Sequence, residues 1–71
     1  MNRKALVIGL GASGEACARF LLNRQYSVLA TDTRDNPPAL EKMRETEGFE
    51  FVGLDEAQRR LGEVAIVVIS P

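Results

Sequence analysis

The sequence predicts an α/β domain: a parallel sheet of about four strands with helices on both faces, in the order β-α-β-α-β-α-β. Three observations carry that expectation. Short apolar runs rich in β-branched residues alternate with segments of helical spacing, the pattern of parallel strands joined by helical crossovers. The first run, Ala5-Leu6-Val7-Ile8, passes directly into Gly9-Leu10-Gly11-Ala12-Ser13-Gly14, a glycine-rich turn where a buried strand hands over to a helix. An acidic residue, Asp32, closes the second run eighteen residues after Gly14.

Taken in order, Lys4 to Ile8 reads as a first strand, continuous enough for the sheet centre, where both faces are buried. Met1 to Lys4 followed by Ala5 to Leu10 has a faint likeness to a signal peptide, but Gly9 and Gly11 break the run and Glu15 follows soon after, so a strand fits better. Ser13 to Arg24 is expected to be helical, with Ala16, Cys17, Phe20 and Leu21 inward and Glu15, Arg19 and Asn23 outward. Cys17 then reads as a small core residue rather than a reactive thiol. Tyr26 to Thr31 is a second strand ending at Asp32. Pro37-Pro38 breaks the chain and suits the entry to a helix over Ala39 to Glu47, with Leu40 and Met43 inward. Phe49 to Val52 is a short third strand. Asp55 is the expected cap of the next helix, with Gln58 as its capping-box partner, Leu61 closing the helix and Gly62 ending it. Val64 to Ile69 is an apolar, mostly β-branched fourth strand. The chain stops at Ser70-Pro71 with no helix to cover that flank. The expectation is therefore a piece of a longer protein, against the alternative of a minimal single domain, and the uncovered flank is a liability for association.

Composition narrows the partners. Seventy-one residues suffice for one small domain. Lys+Arg 9 against Asp+Glu 10 leaves no basic excess, so neither nucleic acid nor an anionic membrane is the expected partner. No stretch approaches the length of a membrane helix. One cysteine forms no internal disulfide, which fits a reducing cytoplasm. With no histidine, there is no Ser/His/Asp or Cys/His set, and no P-loop occurs. Glu41, Glu45 and Glu47 read as a solvated charged face. No catalytic residue, metal site or cofactor of its own is expected in this chain.

The glycine turn reads as a diphosphate site made from backbone. Gly9 allows the tight turn, Gly11 has no side chain to block a pyrophosphate, and Gly14 lets the helix pack close to its strand. The first amides of the helix have no partner within it, and the macrodipole favours an anion there. The alternative is a tight turn with no ligand. Asp32 suits a ribose hydroxyl in such folds, or else closes an Asx-turn in Asp-Thr-Arg-Asp-Asn-Pro-Pro. Arg34 can meet a phosphate or stack on a base, or simply point into solvent. These features make the expected domain Rossmann-like and three-layered.

Three segments read together carry a resemblance: Val7-Ile8-Gly9-Leu10-Gly11-Ala12-Ser13-Gly14, then Asp32-Thr33-Arg34 with Pro37-Pro38 behind it, then a final apolar strand into Ser70-Pro71. Nearly the whole chain resembles the N-terminal domain of the peptidoglycan ligases that add D-glutamate to UDP-N-acetylmuramoyl-L-alanine, the MurD ligase family. The resemblance implies a UDP-binding domain rather than an NAD-binding one. Ala12 and Ser13 would offer backbone N–H groups, and Ser13 its hydroxyl, to the diphosphate beside Gly11 and Gly14. Asp32 and Thr33 would meet the uracil, Arg34 would cover it, Gly53 would line its far side, and Ser70 would open a Ser-Pro-Gly turn. Ligation with ATP and magnesium would belong to other domains of a cytoplasmic parent protein. An NAD-binding domain of an oxidoreductase or regulator uses the same glycines and Asp32 but gives Thr33, Arg34 and the prolines no task. A scaffold with a vestigial site and a sibling ligase for another amino acid are also compatible with these motifs.

Overall fold

The computed structural model describes residues 3–70. Four strands, β1 (Arg3–Ile8), β2 (Tyr26–Thr31), β3 (Phe49–Phe51) and β4 (Ile66–Ile69), form one sheet in the order β3-β2-β1-β4. Every pairing is parallel. Between the strands lie α1 (Ala12–Asn23), a single-turn α2 (Leu40–Met43), and α3 (Leu54–Arg59), which is followed by a 3₁₀ turn over Leu61–Glu63. The α/β fold class and the element order are those the sequence predicts.

Strand alternation divides the core into two layers, because successive side chains point to opposite faces. Ala5, Val7, Val28 and Ala30 pack with Leu10, Ala18, Leu21, Ala39, Leu40 and Met43 on the face carrying α1 and α2. Leu6 and Leu29 pack with Val52 and Ala57 on the face carrying α3. The middle of β1 and of β2 is buried on both sides, which is why these segments read as unbroken apolar runs.

Several local expectations are corrected. Helix α1 buries Gly14, Ala18 and Leu21, spaced i, i+4, i+7. Ala16 and Phe20, expected inward, are exposed, and Cys17 is half-buried. Small residues let the helix approach the sheet, while the Phe20 ring lies outside under the Arg24 guanidinium, 4.6 Å from its centroid. Helix α2 is one turn rather than Ala39 to Glu47, with Leu40 and Met43 inward as expected. Gly53, not Asp55, sits at the N-cap of α3, with no side-chain cap. Asp55 and Glu56 fall in its first turn, where the macrodipole favours them. The helix ends at Arg59, before Leu61 and Gly62. Strand β4 starts at Ile66 rather than Val64, and Val67 and Ile69 on it are exposed.

Candidate functional site

The carboxyl ends of β1, β2 and β4 meet the start of α1. Strand β1 runs to β2 on one side and β4 on the other, so the chain reverses direction across the sheet here. This is the position at which open parallel sheets leave a crevice for ligands. A cleft of about 260 Å³ lies there, lined by Ile8, Gly9, Gly11, Asp32, Thr33, Arg34 and Ser70.

The glycine turn has the three properties its sequence implies, each from a different contact. Gly9 has φ +98, in the left-handed region that favours glycine. A Cβ on Gly14 would collide with the Gly9 carbonyl oxygen, so only glycine lets α1 start this close to β1. A Cβ on Gly11 would meet nothing within 4 Å; the space above Gly11 is open to a ligand. The first intrahelical bond of α1 is from the Glu15 N–H to the Gly11 carbonyl, at 2.9 Å. The amides of Ala12, Ser13 and Gly14 precede it and face the helix's positive end. Glu15 in that first turn would repel an anion, but Arg19 at 2.9 Å and Lys42 at 3.6 Å neutralise it. The Arg19 hydrogen bond is the main cause of its lowered pKa.

Asp32 is buried at the end of β2 and accepts four close hydrogen bonds. Its Oδ2 accepts from the Leu10 N–H at 2.7 Å and from Arg34 Nη2 at 2.7 Å. Its Oδ1 accepts from the Arg34 N–H at 2.9 Å and Arg34 Nε at 2.8 Å. The bond to the Arg34 amide is the Asx-turn that the sequence allows as a second reading. The Arg34 side chain holds the carboxyl well below the usual carboxylate range, with the Leu10 amide adding to the effect and burial opposing it. The Thr33 hydroxyl lies 3.5 Å from Oδ1. Arg34 is half-exposed and pinned at the cleft mouth by its carboxylate partner.

Ser70 bonds through its N–H to the Ile8 carbonyl at 2.8 Å. Its Oγ is buried without a partner beside the cleft, free to bond a ligand. The Ser-Pro-Gly expectation involves Pro71, outside the described residues. Thus Gly11, Asp32, Thr33, Arg34 and Ser70 line one cleft, with Ala12, Ser13 and Gly14 following in α1. Gly53 does not line it: it starts α3 beyond β3, with open space at its Cβ position. Sequence reasoning missed Leu10, whose amide anchors Asp32, and Lys42, which neutralises Glu15. No local signal marks either pairing, because both are long-range. A larger concavity of about 430 Å³ between α1 and β4 is lined by Ala16, Cys17, Phe20, Leu21, Ile66 and Val68, and offers no charged group to a nucleotide. Among the described residues no group of three or more His, Cys, Asp or Glu side chains is placed to hold a metal, and no helix is long and apolar enough to cross a membrane.

A four-stranded parallel sheet with a glycine turn at its switch point defines an α/β domain of Rossmann-like type. Within that class the chain belongs to the MurD-like N-terminal domain family of Mur ligases, whose model matches residues 3–71. It is 37% identical over 70 residues to the UDP-N-acetylmuramoylalanine--D-glutamate ligase of Pasteurella multocida, covering 99% of this chain and 16% of that protein. The Yersinia pestis ligase of the same name is 36% identical over the same span and shares. The Pseudomonas savastanoi ligase is 49% identical over 43 residues, 61% of this chain and 10% of that protein. The chain therefore spans about a sixth or less of the length of these curated relatives. No solved structure matches it.

Proposed function

We propose that this domain holds the uridine diphosphate end of UDP-N-acetylmuramoyl-L-alanine for a peptidoglycan ligase that adds D-glutamate to it. The observation that carries the reading is the junction of β1 and α1. The cleft includes Gly11, whose Cβ position is open, and Arg34, paired to Asp32, at its mouth. The first turn of α1 follows directly from Gly11, its first helical bond starting only at the Glu15 N–H. A diphosphate is the group such a helix start favours. Ala12 and Ser13 would donate N–H bonds to it, joined by the Ser13 hydroxyl, and Gly14 would keep the helix start near it. Arg34 would lie across the base, Asp32 and Thr33 would meet its edge, and the Ser70 hydroxyl would bond the sugar–diphosphate. Gly53, which caps α3 and does not line the cleft, has no part in this reading.

The chemistry of ligation would belong in this reading to the parent ligase's other domains, in the cytoplasm: ATP with magnesium would supply the phosphoryl group that activates the L-alanine carboxylate, ADP leaving, and the amino group of D-glutamate would displace that phosphate to form the amide. This domain anchors the substrate and takes no proton or phosphoryl group. The test is an amide-shift titration of the ¹⁵N-labelled chain with UDP-N-acetylmuramoyl-L-alanine, UDP and NAD in parallel. The expected result is shifts at Gly11 to Gly14 and at Thr33 and Arg34 with both uridine ligands and little response to NAD. A preference for NAD would instead make this a dinucleotide domain, and the cell-wall reading would be abandoned.

A further inference from the structure

We infer that Lys42 sets how strongly the cleft favours a ligand with two phosphates over one with fewer, and that it does so without touching the ligand, by acting through Glu15. The inference rests on the reading of the cleft as a UDP site. Glu15 stands one residue after Gly14, in the first turn of α1. The helix start favours an anion there, and a carboxylate of the protein competes with one from outside. The Glu15 side chain is only 17% exposed, so water screens its charge poorly. Two cations do so instead. Arg19, one turn on, reaches Oε2 with Nε at 3.0 Å and Nη2 at 2.9 Å, while Lys42 Nζ lies 3.6 Å from Oε1. The Arg19 hydrogen bond holds the Glu15 carboxyl below its usual range, with burial opposing it and the Lys42 charge adding to it. The acid therefore keeps its charge at neutral pH and has to be countered.

The fold brings Lys42 to this point. Leu40 and Met43 seat α2 in the core beside Ala18 and Leu21 of α1. The Ala39 N–H donates to the Leu10 carbonyl at 3.2 Å, which ties the start of α2 to the turn before α1. Glu41 pairs with Arg44 at 3.4 Å, leaving Lys42 to Glu15. Together Glu15, Arg19 and Lys42 carry one net positive charge, and without Lys42 they carry none. Neither cation lines the cleft, and Lys42 is 67% exposed. Its effect on a ligand is that of charge at a distance, which grows with the ligand's own charge.

Amide-shift titrations with uridine, UMP and UDP on the whole chain as wild type, K42A, K42R, E15Q and E15Q/K42A test this. K42A is expected to weaken UDP binding about three- to tenfold, UMP binding by less, and uridine binding by under about twofold. K42R should match wild type, and E15Q should bind UDP more tightly. E15Q/K42A regains one net positive charge, so its UDP affinity should return to within about twofold of wild type. Raising the salt to about 0.5 M should narrow the gap between K42A and wild type. A loss in K42A as large for uridine as for UDP would make Lys42 a structural residue. A double variant as weak as K42A would put Lys42 on the phosphate itself. Either result, or a K42A chain with wild-type affinity, overturns the inference and leaves the UDP reading standing. A wild-type chain that does not bind UDP removes both. If the double variant does not fold, the salt series decides, and a gap that fails to narrow overturns the inference.

Discussion

At the scale of single residues, the glycines of the turn differ in what they tolerate. Gly14 faces the Gly9 carbonyl, and Gly11 faces open space. Gly14→Ala is expected to push α1 off β1 and to destabilise the fold by about 2 kcal/mol or more, because backbone has to move. Gly11→Ala, at φ −92, should fold with stability within about 0.5 kcal/mol of wild type yet lose most UDP affinity. Urea unfolding and calorimetry on the two variants check both halves. Asp32 has its own signature. Its pKa is depressed in the folded chain, so its stabilising contribution is full above about pH 4, the range of an unfolded carboxylate, and declines as pH falls toward the folded value. Asp32→Asn should cost about 1–2 kcal/mol near pH 7, with the gap to wild type narrowing below about pH 4; urea melts across that range measure it. A gap that does not change with pH would mean the charge contributes nothing. The glycine roles and the Asp32 position were legible in the sequence because they follow from a strand–turn–helix spacing. The commitment of Asp32 to Leu10 was not, because it depends on how the turn after β1 folds over the end of β2.

Among elements, the strands were the most legible: runs such as Val28-Leu29-Ala30 are buried on both faces, so their composition leaves little choice. Helix orientation was harder to read. The spacing Gly14, Ala18, Leu21 is as helical as Ala16, Cys17, Phe20, Leu21, but small residues mark the buried face here, since the sheet surface is close. Helix α2 was overestimated because Glu41, Lys42, Arg44 and Glu45 are good helix formers with no apolar stripe to dock a second turn. That shortness has a dynamic consequence. A single turn held by Leu40 and Met43 should open locally far more often than α1. Native-state hydrogen exchange is expected to show the Met43 amide, which bonds the Ala39 carbonyl at 3.2 Å, exchanging on the order of a hundredfold faster than those of Leu21 or Leu29. Equal protection would mean that α2 is locked by packing rather than by its own length.

For the molecule as a whole, a radius of gyration of 10.6 Å is close to the ~11 Å expected for a compact chain of this size. A core this small gives a thin margin of stability, so a bound ligand shows clearly. UDP at about a hundred times its Kd should add roughly 2.7 kcal/mol, which for a chain this short raises Tm on the order of 10 °C. NAD at the same concentration should leave Tm unchanged, and a scanning-fluorimetry series with both ligands distinguishes the cases.

The strand order also sets a schedule for synthesis. Strand β1 is made first, β2 pairs with one of its edges early, and the other edge belongs to β4, some sixty residues later along the chain. At about 5–20 residues per second, that edge stays without its partner for roughly 3–12 s of translation. In this interval Ala5 to Ile8 present an unpaired apolar ladder outside the ribosome, and the glycine turn beyond it lacks the Ser70 backbone that later closes over Gly9. A chaperone that recognises open strand edges has its opportunity then, before the cleft at the sheet's carboxyl edge has all of its walls.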